Sequence, residues 1–440
     1  MVEDDLNTPR DCAGLKPHPL RFDINNEIHA RPFEQIVAPL TATHYAMFSE
    51  EHQEEQEYRH ICDLCRRYGL HPPMENANHF AADFGNFRLR WERHAEFTTY
   101  TFLRQNKDEE PFAKTACSEV PKEWLRALPG LLLTAIKAEI LDKGQSRPSD
   151  AELDKYFVSE SLVSSLIGSN GAQRWTDMRI DKDGYIRSLI YDRGMSPRKA
   201  GRVLLRIFEI AVYRNLSLLA LPLAREVSVK IALINSELAE LTEELGQTNS
   251  AAAEKDLLRD LTRVSAEIET LASKTAYRFS ATRAYYQIVL SRIAELKEIP
   301  VDPYQTISEF LDRRLAPAVR TCNSVADRLA DLSRRATRSA NLLRTKTDFA
   351  LAEQSQAQLA AMNQRAQRQL RLQETVEGLS IAAISYYLVS LVGYAAEMAR
   401  PLGLAVNVEL IKGASIPVIL LAVWFALRRI KKRLSRDHPI

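Results

Sequence analysis

The feature that most constrains this chain is its longest stretch without a charge. Gly378 to Ala396 (GLSIAAISYYLVSLVGYAA) is 19 residues long and is bracketed by Glu377 and Glu397. A helix needs about 20 apolar residues to cross roughly 30 Å of hydrocarbon, so this run predicts a transmembrane helix. A second run, Gly413 to Leu427 (GASIPVILLAVWFAL), has 15 residues and is short for a span. Its flanking Lys412 and Arg428 extend its reach by snorkelling toward the headgroups. Two core helices of a soluble protein fit less well, because the runs lie together and the second ends in a strong basic flank.

That flank is Arg428, Arg429, Lys431, Lys432, Arg433 and Arg436, and Arg365, Arg368 and Arg371 stand ahead of the first run. Between the runs, Glu397, Arg400, Glu409 and Lys412 cancel. Basic residues gathered on both outer flanks predict two cytoplasmic termini. The connection between the runs holds Pro401 and Gly403, which should break the helix there. A mean hydropathy of -0.26 and a net charge of +2 would read as a soluble protein, because the average dilutes the apolar end. The N-terminus lacks the basic stretch and apolar core of a secretory signal, which predicts that the bulk of the chain stays in the cytosol. Five cysteines, odd in number and irregularly spaced, are no disulfide framework.

Ahead of the hairpin the pattern is helical. Val227, Ile231, Ile234, Leu238, Leu241 and Leu245 recur at spacings of four and three, a coiled-coil seam. The GQTNS stretch reads as a turn. The seam resumes at Leu257, Leu261, Val264, Ile268 and Leu271, and again at Thr282, Tyr286, Val289, Ile293 and Leu296, before IPVDPY stops it. From Gln305 to Ala396 only Pro317 interrupts a helix. Arg313 to Arg371 carries 12 basic residues against four acids, so it reads as a basic stalk running into the first span. Because the arginines are spread around the helix, a solvated face is favoured over a lipid or nucleic-acid patch, and no nucleic acid is expected as partner.

Residues 17–195 read as mixed α and β. Phe87 to Arg104 is aromatic and β-branched, as a strand region would be, and Leu131 to Ile140 suits a strand or a helix. RWTDMRI-DKDG-YIRSLIYD is a hairpin signal with Asp183-Gly184 in the turn. Helices are expected from Thr43 to Tyr68 and from Ser196 onward, with Pro197 at the first helical position and a kink at Pro222.

Three groups of residues invite a chemical reading. The first is a pair of polar clusters, Glu27, His29 and Arg31, and Glu92, His94 and Glu96. In a strand a carboxylate two positions from a histidine shares its face, which suits an acid–base pair or, as the safer reading, a structural ion-pair network. The second is Cys62-Asp63-Leu64-Cys65, a lone CxxC late in a predicted helix, where packing is favoured over redox or zinc chemistry. The third is Ser380, Ala383, Tyr387, Ser390 and Tyr394, one face of the first membrane helix, for helix packing or a pore. Eight of the nine histidines fall within the first 94 residues but without metal-ligand spacing.

The segments HPLRFDINNEIHARPF, WERHAEFTTYTF, YRNLSLLALPLAR and TVEGLSIAAISYYLVSLVGYAAE together resemble the bacterial membrane-anchored proteins of domain of unknown function 3422. That resemblance covers nearly the whole chain and implies a bacterial inner-membrane anchor, with no catalytic residues to carry over. The layout is also similar to the CorA magnesium channel superfamily. The Gly-Met-Asn signature of that superfamily is absent, the corresponding residues being Gly393-Tyr394-Ala395-Ala396-Glu397-Met398.

The expectation is therefore an α+β protein with a disordered N-terminus (1–16), a mixed α/β domain (17–195), a coiled-coil helical region (196–375), a transmembrane hairpin (376–430) and a basic tail (431–440). It is expected to be a non-enzymatic, cofactor-free scaffold or interaction protein that forms homo-oligomers through its stalk. An oligomeric CorA-like channel or transporter is the alternative.

Overall fold

The computed structural model of the chain describes residues 33–49, 53–75, 77–106, 110–247, 250–399 and 407–434, together with residues 15, 18–22, 24 and 25. Its two compact units are residues 1–247 with 259–339, and residues 248–258 with 340–440. The architecture is α+β, as the patterning predicts.

The first unit is built on a nine-stranded sheet: β1 (Leu40–Phe48), β2 (His79–Asp83), β3 (Arg88–Arg93), β4 (Phe97–Gln105), β5 (Leu131–Leu141), β6 (Val163–Ile167), β7 (Ala172–Thr176), β8 (Ile186–Asp192) and β9 (Ile299–Pro300). The spatial order is β2-β3-β4-β1-β5-β8-β7-β6-β9. Neighbours are antiparallel except β5 and β8. The aromatic stretch folds as the β3–β4 hairpin, with Arg90 opposite Thr101 and Glu92 opposite Thr99. Leu131 to Ile140 is a strand, and its length is absorbed by pairing along the whole of β1. In the β7–β8 hairpin Gly184 takes φ +89, which only glycine adopts without strain, and its N–H donates to the Asp181 carbonyl at 3.0 Å.

The helix expected over Thr43 to Tyr68 is corrected. Leu40 to Phe48 is β1, the inner strand between β4 and β5, and only α1 (Glu54–Arg67) is helical. Thr41, Thr43 and Tyr45 alternate with Ala42, His44 and Ala46 along the strand, while Glu54, Glu55 and Glu57 suit the first turn of a helix.

Each face of the sheet has its own core. On one face α1 and α2 (Lys122–Arg126) pack Ile61, Leu64 and Trp124 against Leu89, Trp91, Tyr100 and Phe102. Burying each of these side chains contributes roughly 1.5–3 kcal/mol. On the other face lies α4 (Pro197–Leu218), which follows α3 (Asp150–Leu153) in the chain. Its Val203, Leu204, Ile207 and Phe208 meet Leu40, Ala42, Ile136 and Ile140. A Cβ at Gly201 would collide with the Glu34 carbonyl, so glycine permits the close approach of α4 to that segment.

Helix α4 ends at Leu218 and α5 (Ala220–Gln247) begins after Leu219, so the break falls ahead of Pro222, which sits in the first turn of α5. Helices α6 (Ala251–Leu296) and α7 (Ile307–Ala399) follow. Leu257, Leu261, Val264, Ile268 and Leu271 of the seam are buried, as are Val227, Ile231, Ile234 and Leu238. In the first unit α5 and α7 are joined by Thr242–Ser339 at 3.2 Å and Arg335–Asn235 at 2.6 Å, and α5 and α6 by Arg263–Glu237. The predicted seams are thus covered within one chain and do not themselves require a second copy. Helix α4 begins just after 195/196, and strand β9 and part of the core come from beyond it. Val289, Ile293, Ile307 and Leu311 belong to the same cluster as the strands.

Pro317, in the first unit, does not end α7, which is a single 93-residue element. In the second unit, helix α8 (Val408–Leu434) has 27 residues, and Val408 to Lys412 extends the second apolar run at its start. Residues 400–406 of the connection, with Pro401 and Gly403, and 435–440 of the basic tail lie outside the described residues.

Candidate functional site

A cavity of about 310 Å³ opens between the sheet and the helices laid across it. Strand alternation builds one wall: Arg90 and Glu92 on β3, Thr99 on β4 and His44 on β1 project from the same face. Helix α4 builds the opposite wall with Leu205, Arg206, Phe208, Glu209, Val212 and Tyr213, positions that share a face at spacings of three and four. Arg292 of α6 and Phe33 complete it.

The charges in this wall are paired. Arg90 donates to Glu92 at 2.7 Å, and both side chains are buried. Arg206 meets Glu209 at 2.9 Å and also pairs with Glu295, while Arg292 meets Glu209 at 2.8 Å and Glu295 at 2.7 Å. This four-membered ring ties α4 to α6. Burial pushes the Glu209 carboxyl up, with Arg292 and Arg206 pulling it back.

His44 is the unusual member. Its ring stacks on Phe208 at 4.5 Å, and Nδ1 lies 2.8 Å from Thr101 Oγ1. Nε2 is buried without a protein partner. Burial, followed by the charges of His94 and Arg90, lowers its pKa to about 3. A histidine that stays neutral at pH 7 is a poor base for proton transfer, which works best when the pKa lies near the working pH. It can still offer one hydrogen bond to a small polar molecule.

The structure divides the second predicted cluster. Glu92 and His94 line the cavity, but Glu92 is bound by Arg90, and His94 stacks on Phe97 at 4.2 Å. Glu96 lies outside it, held by Arg278 at 2.8 Å and by the Tyr285 hydroxyl of α6. Glu27, His29 and Arg31 lie outside the described residues. Phe33, two positions after Arg31, is where the described chain reaches the cavity. His44, Arg206, Glu209 and Arg292 escaped the sequence reading because the cavity joins five elements far apart in the chain. For His44 the alternation of LTATHYAMF was the available signal.

Toward the C-terminus, Ser380, Ala383, Tyr387 and Tyr394 are exposed on α7 and Ser390 is half-buried. The hydroxyls of Ser380 and Ser390 donate to the carbonyls of Val376 and Tyr386 in their own helix. The side of α7 that meets α8 is a different one. Ser385, Gly393 and Ala396 are buried, and Lys412 of α8 lies against Gly393 and 3.2 Å from Glu397. Two helices of the chain, Ile307–Met398 through its final turns and Val408–Arg429, are long and apolar enough to cross a membrane.

A family profile described as "Protein of unknown function (DUF3422)" matches residues 16–434. The chain belongs to the DUF3422 family. A search of curated proteins finds no match. The description of DUF3422 names no activity, and none is carried over to the cavity or the apolar helices.

The CxxC of this DUF3422 protein lies on α1 with Cys65 packed among Ile61, Leu64 and Trp124. Burial, then the neighbouring Cys62, pushes the Cys65 thiol up to about 11. A reactive thiol needs the opposite shift. Among the described residues no three His, Cys, Asp or Glu side chains converge to hold a metal ion.

Proposed function

We propose that the protein is a non-enzymatic, membrane-anchored interaction protein of the bacterial cytoplasmic membrane, with both termini in the cytosol. The observation that carries this reading is an inversion of burial. The first unit buries most of its large apolar side chains, whereas the final helices expose most of theirs, Tyr387 at 73% and Phe425 at 67%. An apolar surface of that extent is stable in lipid and costly in water. Arginine and lysine on both outer flanks support the orientation. The paired charges and neutral histidine of the cavity favour binding over catalysis.

The experiment is fractionation of cells expressing the intact protein, followed by an alkaline carbonate wash. Retention in the washed pellet is expected, and deletion of residues 376–434 is expected to release the protein to the supernatant. Reporters fused to each terminus should both give cytosolic signals. Recovery of the intact protein in the supernatant, or a periplasmic signal from either end, overturns the reading.

An oligomeric channel of CorA-like layout is the second reading, favoured by the exposure of Ser380, Tyr387 and Tyr394 away from α8. Divalent-cation flux in proteoliposomes tests it. The scaffold reading expects no flux above empty vesicles. Flux abolished by Tyr387→Leu or Ser390→Leu would replace it with the channel.

A further inference from the structure

From Thr347 to Val376 every residue of α7 is exposed, Phe349 and Met362 at 74% and 64%. A single helix of that length gains nothing from tertiary packing, which ordinarily supplies most of a helix's stability. The charges along it are not placed evenly. Between Ala352 and Tyr394, five of the seven heptad positions carry at least one charge: Glu353 and Glu374, Arg365, Arg368, Arg371, and Glu377. The two charge-free positions are three residues apart, the spacing of a coiled-coil seam. They form an unbroken three-four alternation: Ala352, Ser355, Leu359, Met362, Ala366, Gln369, Gln373, Val376, Ser380, Ala383, Tyr387, Ser390 and Tyr394. Asp348 and Glu397, in the same heptad phase, close it at either end. The membrane stripe is therefore the last part of a seam about 63 Å long that begins on the exposed helix.

The geometry points to this seam as the surface through which a second copy of the chain docks, parallel and in register, from the exposed helix into the bilayer. Three observations select that occupant. The chain's own last helix does not cover the seam: Ser385, Gly393 and Ala396, which meet α8, lie on the opposite side of α7 at about 100° per residue. The inference rests on the membrane-anchored reading, because two copies inserted with one orientation present the seam at one depth. Charge is compatible with self-pairing in register. Flanking positions five apart would place Gln358 by Asn363, Arg365 by Leu370 and Leu372 by Glu377 of the other copy, with no like charges opposed. Gln369 and Gln373 can donate to and accept from their own counterparts.

The test is oxidative cross-linking of the full chain in native membranes after the carbonate wash, in a background carrying Cys12→Ser and Cys62→Ser. Met362→Cys and Ala366→Cys lie on the seam, and Ala357→Cys and Ala361→Cys lie off it. Seam positions in a parallel pair approach within the Cα separation that a disulfide needs. The expected result is a linked species of twice the chain's 49.9 kDa, about tenfold more abundant at the seam positions than off them. Equal linkage at all four positions, no linkage in the washed pellet, or linkage to a protein of another mass would overturn the inference. Absence of the protein from the pellet would instead defeat the anchor reading, so the two failures are distinct.

Discussion

Arg93→Ala is expected to destabilise the sheet unit by about 3–5 kcal/mol, because it strands a buried carboxylate. Glu57 on α1 is 1% exposed, and its Oε2 meets Arg93 Nε at 3.1 Å. Its Oε1 accepts from Ser49 at 2.7 Å. Arg93 further donates to the Glu54 carbonyl at 2.7 Å and lies 5.2 Å from the Trp91 ring centroid, so it joins α1 to the end of β3. The measurement is urea unfolding of the detergent-solubilised protein followed by tryptophan fluorescence. Trp91, Trp124 and Trp175 all lie in the first unit, and only Trp424 does not. Arg59→Ala, which breaks an exposed pair with Glu55, should leave the curve almost unchanged. The double change Arg93→Met with Glu57→Leu removes both charges and should recover most of the loss, since the penalty comes from the partner left behind. A double variant as damaged as the single one would mean that packing, not the uncompensated charge, sets the cost.

What the sequence displays best is periodicity over long stretches. The seams of α5 and α6, the Asp183-Gly184 turn and the Ser196-Pro197 helix start are local signals, each sufficient without knowledge of the neighbours. Strand β1 was hidden for the opposite reason. Eight of its nine residues are buried because β4 and β5 flank it, and no local pattern reports flanking strands. The partner of a seam is equally non-local. Val227 to Leu238 meets its cover inside the chain, while the run from Ala352 is exposed, although both carry the same spacing.

The cavity shows the same limit at the scale of single residues. Glu92 and His94 were visible as a pair because two residues along a strand share a face. The partner that decides their chemistry was not, since Arg90 lies on that same face and outcompetes the histidine for the carboxylate at 2.7 Å. Glu96 falls beyond the strand, so alternation no longer governs it, and α6 captures it from almost two hundred residues away. A carboxylate–histidine spacing therefore specifies a face, and the charges brought by other elements specify the use.

His44 should make the stability of the sheet unit fall as the pH is lowered from about 6.5 toward 3. Its folded pKa is about 3, against about 6.5 for an unfolded histidine. Between those values the unfolded chain binds a proton that the folded chain does not, so acid favours unfolding and the contribution is complete above pH 6.5. The share lost between pH 7 and pH 4.5 is about 2.5 kcal/mol for a shift of this size. The groups facing the ring are Arg90, Glu92 and His94 from the sheet side, Arg206 and Glu209 from α4, and Arg292 from α6. Glu209 works in the opposite sense: its raised pKa gives a contribution that is present at low pH and lost as the pH climbs. The informative quantity is thus the difference between two pH profiles rather than either one. His44→Phe keeps a ring against Phe208 but cannot take up a proton, and Glu209 stays in both proteins. Urea unfolding at pH 7 and pH 4.5 should show the variant losing less stability than the native chain by about that same 2.5 kcal/mol. Parallel profiles would mean that the native ring is protonated in the folded state, with water entering the cavity to solvate it.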